Sequence, residues 1–491
     1  MFNALSFADF QNLAKKHKRI TVFKEILGDL ITPVQTYHAL QAHMKGATLL
    51  ESSPKEKMAG RYSFLGFNPQ AQIKVKNKQI EIQDEQGVRV IDDCALTALR
   101  DFYQARKATS SCVLPGFAGG IVGYYAYDAA RLFEETLQND NNQTDFPDIL
   151  FKSYRDYVIF DQKTEHVILA TVVDIDNRAP EEIYNSAVSR LDDFYQQMLQ
   201  NPSPKLRSVK SISTPAIKAC VDDKTYIEAG QKAKDHILKG DAFQIVLART
   251  FKMNYSAKPF DIYRILRYRN PSPYMFYLDI DDMTICGASP EKMISIHKNK
   301  VQSCPLAGTR PRGDDINDVA QAADLLSDVK EVSEHMMLVD LARNDIGMVA
   351  KPGTVKVSSL KQIVHFSHVM HISSTIEAPL ADDKDAFDAL RASFPAGTLS
   401  GAPKIRAMQI IDDLEGCRRG LYGGAIGFLD AQGDFDSCIA IRMAILKDNV
   451  AYVTAGAGIV ADSDLQKEAD ETKHKARAVL EAIAFAESTT L

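Results

Sequence analysis

The chain has 491 residues, 45% of them hydrophobic and 25% charged, with a formal net charge of −6. That length can bury a large core and ordinarily divides into two or three lobes, while the mild acidity and the lack of any basic block argue against a nucleic-acid partner. Seven scattered cysteines form no C-x-x-C pair, which argues against a zinc knuckle or a disulfide framework, and no apolar run is long enough to span a bilayer, so a cytoplasmic protein is expected.

Early in the chain, AQIKVKNKQIEIQ (Ala71–Gln83) alternates apolar and polar residues as half-buried antiparallel strands do. LQNDNNQTDFPD (Leu137–Asp148) is rich in turn formers and predicts a loop. YVIFDQKTEHVILATVV (Tyr157–Val173) again predicts strands, and APEEIYNSAVSRLDDFYQQML (Ala179–Leu199) a helix. Proline and serine then punctuate Gln200–Lys218, which predicts a linker over 201–218 between an N-terminal region, 1–200, and a longer one, 219–491. Asp222 or Asp223 can cap a helix through Lys239, followed by a strand, FQIVLARTF (Phe243–Phe251). A long helix is expected from about Val319 to Arg343, another opened by Pro403, and a last one through KEADETKHKARA (Lys467–Ala478). Strands and helices mix without a regular beat, which predicts an α+β fold.

Four stretches carry candidate chemistry. Glu331 and Glu334 stand one turn apart in SDVKEVSEHMMLVDLARND (Ser327–Asp345), in line with Leu338 and Leu341. Leu326, Val329, Val332, Met336 and Val339 cover the other faces, so burial is expected, with the carboxylates turned to a polar cavity or a partner charge. Glu468 and Glu471 repeat the spacing. Either pair alone suits salt bridging on a solvated face, whereas two pairs from two helices would suit Mg²⁺, a hard ion that takes oxygen ligands. HFSHVMH, as one strand, would put His365 and His371 on one face and His368 on the other, so the three do not converge on zinc. That leaves a single histidine as proton carrier or as an ordinary core residue. AGTLSGAPKIRAM (Ala396–Met408) is either a helix entry that holds an anion or simply a capped helix. TAGAGIVADSD (Thr454–Asp464) is a glycine-rich loop that either approaches a ligand oxygen or connects strand to helix tightly.

Taken together and in order, ASPE (Ala288–Glu291), PLAGTRPRG (Pro305–Gly313), EHMMLVDLARND, HVMH, GTLSGAPK, YGGAIGF (Tyr422–Phe428), IAIR (Ile439–Arg442), AGAG and KEADETKHKA resemble the motifs of the chorismate-utilising enzymes. LLESS (Leu49–Ser53) and RYSFLG (Arg61–Gly66) extend the resemblance to nearly the whole chain. It implies an α+β fold of two interlocked lobes around a β-sandwich, with helices packed outside. It also implies Mg²⁺ held by Glu334 and Glu471, with Glu331 and Glu468 beside them. Arg442, Tyr422, Thr398 and the backbone of Gly456, Ala457 and Gly458 would clamp the enolpyruvyl carboxylate. Gly308, Thr309 and Lys475 are the remaining substrate contacts, Glu291 the acid that protonates the departing hydroxyl, and His371 the residue of the elimination step.

Two positions separate the branches of that family. Isochorismate and salicylate synthases place a lysine where Gln244 stands, and aminodeoxychorismate synthases usually place one where Ala307 stands. Glutamine with alanine is the combination of the anthranilate synthase branch, which makes anthranilate and pyruvate from chorismate and ammonia at the start of tryptophan biosynthesis. Aminodeoxychorismate synthesis, and a non-catalytic sensor of the same fold, are the alternatives. No G-x-C-x-G occurs, so ammonia would come from a separate glutamine amidotransferase subunit. Ser52, Pro273, Tyr274 and Met275 resemble the family's tryptophan feedback site.

Overall fold

Two long neighbouring strands, Tyr62–Lys76 and Ile149–Asp161, pair along almost their whole length, from Tyr62 opposite Asp161 to Val75 opposite Ile149. Their ladder shifts register between Pro69 and Ala71, where proline has no N–H to give. On either side of this shift the pair acquires different neighbours, and so belongs to two sheets. The computed structural model describes residues 3–42, 44–52, 60–137, 146–200, 217–313, 315–366 and 369–488.

The first sheet continues from Leu65 through Thr48–Glu51 to Tyr274–Ile280, Met283–Ser289, Met443–Lys447, Val450–Ile459 and Gln244–Asn254. Its other flank is His166–Asp174 and Arg19–Leu27. The second sheet takes Gln79–Asp84 and Gly87–Ile91 on one flank. On the other it runs through Ile121–Tyr125, Ala425–Leu429, Phe435–Ile439, Lys292–His297 and Lys300–Ser303 to Val369–Pro379. Each sheet therefore joins a block of strands from before position 200 to a block from after it, through the Thr48–Glu51 to Tyr274–Ile280 pair in one and the Ile121–Tyr125 to Ala425–Leu429 pair in the other. Between them lies a core that draws Tyr124, Leu150 and Ile426 from the second sheet and Phe276, Ile285 and Met443 from the first. Helices cover the outside, among them Pro180–Gln200, Asp223–Leu238 and Leu465–Ser488. This is the expected α+β sandwich. Among the described residues no helix is long and apolar enough to cross a membrane.

Asp222 caps Asp223–Leu238 as expected, its side chain accepting from the Thr225 N–H. Four local expectations are corrected. The single helix expected over Val319–Arg343 is two helices, Asp315–Ser327 and Val329–Gly347, because Asp328 leaves the helical conformation (ψ 108°) and caps the second through the Lys330 and Glu331 N–H groups. The Val329–Gly347 helix is also not buried all round: Val329 is 80% exposed, while Leu338, Val339 and Ile346 turn inward. HFSHVMH is no single strand, since Lys356–His365 and Val369–Pro379 pair as a hairpin with Val364 opposite His371. His365 and His371 consequently take opposite faces, and His368 lies outside the described residues. Gly456 and Gly458 sit inside the Val450–Ile459 strand rather than in a loop. Most of the expected linker (201–216) and of the expected loop (138–145) lies outside the described residues, as does Ser53.

Because the two sheets share a strand pair, weakening that pair should weaken the whole molecule. Phe151→Ala, which empties a buried position opposite Ile73, should cost about 3–5 kcal/mol. Urea denaturation followed by circular dichroism and by tyrosine fluorescence should still give one coincident transition. Two separate transitions would show that the sheets unfold independently.

Candidate active site

A cavity of about 390 Å³ opens where the Gln244–Asn254 and Val450–Ile459 strands end beside the Val329–Gly347 and Leu465–Ser488 helices. Glu331 and Glu334 line it from the first helix, whose start is fixed by the Asp328 cap and whose inner face packs through Leu338 and Val339. Glu468, Glu471 and Lys475 line it from the second. Arg249 sets the rotation of that second helix. Its fully buried guanidinium donates from Nε to Thr472 Oγ1 (2.9 Å) and from Nη2 to the Ala469 carbonyl (2.8 Å), and pairs with Asp223 at 2.8 Å. The rings of Tyr226 and Phe251 lie 4.9 and 5.4 Å from it. With Ala469 and Thr472 gripped from behind, Glu468 and Glu471 are turned to the cavity. Sequence reading passed over Arg249; its only signal was a cation inside an apolar strand pattern.

The four carboxylates are half-buried and face one space. Burial first, and then the neighbouring Glu334, holds the Glu331 carboxyl above its ordinary range. Burial likewise raises Glu468, with Glu471 adding to it and the Ser463 hydroxyl opposing. Compensating charge is sparse: Lys475 Nζ lies 2.5 Å from Glu471 Oε1 and 2.9 Å from the Gly456 carbonyl, and Arg310 lies 3.6 Å from Glu331. Gln244 Nε2 donates to Glu334 Oε1 at 3.0 Å, while Gln244 Oε1 has no partner among the described residues. Among those residues no three His, Cys, Asp or Glu side chains gather closely enough to hold an ion unaided. The donor set nevertheless fits Mg²⁺, which keeps several waters and shares its shell with substrate oxygens. Hard oxygens on two opposed helices, left with excess negative charge, are what such an ion compensates.

Glu291 enters at the head of the Lys292–His297 strand, its N–H bonded to Ser289 Oγ at 3.3 Å. Burial pushes its carboxyl up to about 7, and the Thr398 hydroxyl at 3.0 Å and the charge of Lys475 pull it only part of the way back. His371 is held below its ordinary value by burial, against the bond to Gly308, with Arg442 and Lys475 pushing the same way as burial. Its Nδ1–H donates to the Gly308 carbonyl at 2.7 Å, beside Thr309 Oγ1 at 3.2 Å. The ring is therefore a neutral imidazole whose Nε2 is left as an acceptor. Gly308 adopts φ +68°, and a Cβ there would meet Leu325 Cδ1 at 2.9 Å and Glu331 Oε2 at 3.1 Å.

Arg442, at φ 53°, reaches over the closing helix, where its Nη1 donates to the Lys475 carbonyl at 3.0 Å. Burial lowers its guanidinium from its usual value, opposed by Tyr422 and Glu471, and burial raises the Tyr422 hydroxyl to about 12. Gly456 and Gly458 line the cavity because nothing larger fits: a Cβ would lie 3.0 Å from the Tyr422 hydroxyl at the first and 2.6 Å from Gln244 Nε2 at the second. Ala457, on the opposite face of that strand, is fully buried and does not line the cavity. Ser52, Pro273, Tyr274 and Met275 come together elsewhere, in a larger and mostly apolar cavity of about 680 Å³. Pro290 and Leu306 line both cavities, so one wall separates them.

The family described as chorismate binding enzyme matches residues 46–481. The chain is 42% identical over 486 residues to anthranilate synthase component 1 of Streptomyces coelicolor, covering 97% of this chain and 91% of that one. It is 40% identical to the component 1 protein of Neisseria meningitidis serogroup B, with 96% of each covered. Among solved structures, anthranilate synthase component I of Streptococcus pneumoniae superposes with a TM-score of 0.76 at 38% identity, over 93% of this chain and 98% of that one. The menaquinone-specific isochorismate synthase of Escherichia coli shares the fold, with a TM-score of 0.70 at 18% identity over 97% and 98% of the two chains.

The raised Glu291 carboxyl makes stability depend on pH. Between its ordinary value of 4.5 and about 7 the folded state holds a proton that the unfolded state releases. The contribution is thus complete below 4.5 and is lost as pH rises through about 7. Comparing denaturation of parent and Glu291→Gln should isolate this loss, roughly 3 kcal/mol across the window. Parallel curves would refute the raised value.

Proposed function

The chain belongs to the chorismate-binding enzymes, and from that premise we propose that it acts as the large component of an anthranilate synthase, converting chorismate and ammonia to anthranilate and pyruvate. The observation that carries this reading is a carboxylic acid pushed up to about 7 in one cavity with two opposed carboxylate pairs and three cations, Lys330, Arg442 and Lys475. Chorismate is a dicarboxylate. The planar guanidinium of Arg442 and the hydroxyls of Tyr422 and Thr398 suit its enolpyruvyl carboxylate, and Lys475 suits the side of the ring carboxylate. Mg²⁺, held by Glu334 and Glu471 with Glu331 and Glu468 beside them, would supply stabilisation of the charge that develops between the ring and its carboxylate.

Glu291, protonated near neutral pH, gives its proton to the ring hydroxyl as that group departs as water. Gln244 cannot deprotonate a water, which favours ammonia as the nucleophile, and its unpartnered Oε1 offers an acceptor to an N–H. Neutral His371 then takes the ring proton with Nε2 as the ring C–O bond breaks. The enolpyruvyl group leaves as the enolate of pyruvate, which takes up a proton at its methylene carbon, and His371 returns to neutral. Relatives named as a first component support a second one, a separate glutamine amidotransferase that delivers ammonia. The apolar second cavity has room for an indole, which supports tryptophan as a feedback inhibitor acting across the wall of Pro290 and Leu306. The reaction would open tryptophan biosynthesis.

The purified chain should turn chorismate, Mg²⁺ and ammonium into anthranilate, seen by fluorescence, with one pyruvate per anthranilate. An aminated product without pyruvate would mark aminodeoxychorismate synthesis instead, and no turnover would exclude both. Glu334→Gln and Glu471→Gln should each lower turnover by roughly a hundredfold or more at an unchanged thermal midpoint; parental turnover would remove these residues from the metal site. In His371→Met, amination should outlast elimination, so that an aminated, pyruvyl-bearing intermediate accumulates in chromatograms. Pyruvate release at the parental rate would contradict that role.

A further inference from the structure

Behind Glu291 and Thr398, on the side away from the substrate cavity, lies a small chamber of about 40 Å³. Glu291, Thr398 and Leu338 line both spaces and so form the partition between them, Glu291 and Thr398 being its polar members. The far end of the chamber is polar. Lys404 Nζ donates to Asp345 Oδ2 and to the Ser393 carbonyl, each at 3.0 Å, and both Asp345 and Ser393 line the chamber. Ser393 is 6% exposed, yet its hydroxyl has no hydrogen-bond partner among the described residues. Apolar walls from Leu338, Leu341 and Ala342 close the sides. A space of this size admits a water, which needs about 10–15 Å³ and two to four polar partners. Glu291, Thr398, Ser393 and Asp345 supply four.

The chemistry gives such a water a task. Glu291 is enclosed, and during turnover its cavity face is occupied by substrate, so a spent carboxylate must recover its proton from another side. The Asp345 and Lys404 side chains, 10% and 11% exposed, touch solvent at the other end of the chamber. We propose that the chamber holds water that returns a proton to Glu291 from the Asp345–Lys404 end, with the Ser393 hydroxyl orienting that water. The proposal rests on the reading of Glu291 as the general acid. In the cycle, the Glu291 O–H bond breaks and its hydrogen leaves with the ring hydroxyl as water. The Glu291 carboxylate then takes a hydrogen from the chamber water, which is made good from solvent past Asp345. The ammonium group formed when ammonia adds sheds one proton to solvent, so the cycle neither gains nor loses one. Ser393, Asp345 and Lys404 act through Glu291 and are positioning residues. Burial also raises the Asp345 carboxyl, against the pull of Lys404.

The test compares Ser393→Ala, which removes the hydroxyl, and Ala342→Leu, which fills the chamber and leaves the Asp345–Lys404 pair in place. Both are assayed in the full chain at saturating chorismate, Mg²⁺ and ammonium, in H₂O and D₂O, across pH 6 to 9. Each should lower kcat by about tenfold, enlarge the solvent isotope effect and steepen the decline of kcat with rising pH, with KM for chorismate unchanged. Ser393→Thr, which keeps a hydroxyl, should recover most of the rate. Parental kcat and isotope effect in both variants would overturn the relay, as would a lower kcat with an unchanged isotope effect, which marks a structural role. Glu291→Gln separates the two readings. If it abolishes turnover while the chamber variants behave as the parent, the acid stands and the relay falls. If it turns over as the parent does, the acid reading falls and the relay with it.

Discussion

Concentrated negative charge is the constraint around which this molecule is arranged. Four carboxylates from two helices face one half-buried cavity, and burying charge without compensation costs several kcal/mol per group. The fold meets that cost in part with Lys475, Arg310 and the amide of Gln244, and leaves an excess of negative charge facing the cavity. The same arrangement would collapse if the helices could rotate. Arg249 prevents rotation of one from inside, and the Asp328 cap and the Leu338–Val339 face fix the other. A second buried cation does similar work at the rim. Arg419, paired with Glu415 and stacked on Tyr127, donates to the carbonyls of Leu399 and Val246, tying together two segments that line the cavity.

Most of the wall of the candidate site was legible in the sequence because it carries unusual residues at fixed helical spacing. Glu331 with Glu334, and Glu468 with Glu471, announce themselves by a one-turn repeat, and the ordered motifs bring Glu291, His371 and Arg442 along. What escaped was whatever depended on partners far away in sequence. Nothing in VLAR says that its arginine reaches a helix more than two hundred residues later. The break at Asp328 was hidden because apolar periodicity runs on through it, and only a side chain that satisfies two N–H groups interrupts the helix there. The strand character of AGAG was masked by its glycines, which read as a loop until the opposite strand, Tyr422 and Gln244 are seen to leave no room for a Cβ. Ser393, Asp345 and Lys404 gave no signal at all as a group, since only the folded chain brings Ser393 and Asp345 to one chamber and Lys404 onto both.

Two neighbouring residues show how closely the two larger cavities are joined. Glu291 faces the smaller one and Lys292 the larger, from the same strand. A ligand filling the apolar cavity would press on a wall whose other side carries Glu291. Packed interiors transmit such displacements because they have little free volume in which to absorb them. A displacement of the Pro290–Glu291–Lys292 step or of Leu306 would thus reach both cavities without a long path through the molecule.

The pairing of Thr48–Glu51 with Tyr274–Ile280 carries a consequence for the life of the newly made chain. Glu51 and its partner Met275 are separated by more than two hundred residues, a stretch that a ribosome needs roughly 10–45 seconds to synthesise. Throughout that interval the early strands present an open edge and a half-built core, in a topology that cannot close domain by domain. Biogenesis thus favours slow post-translational closure and shelter by a holding chaperone, and a nascent chain arrested before position 280 should be far more sensitive to proteases than its length alone would suggest.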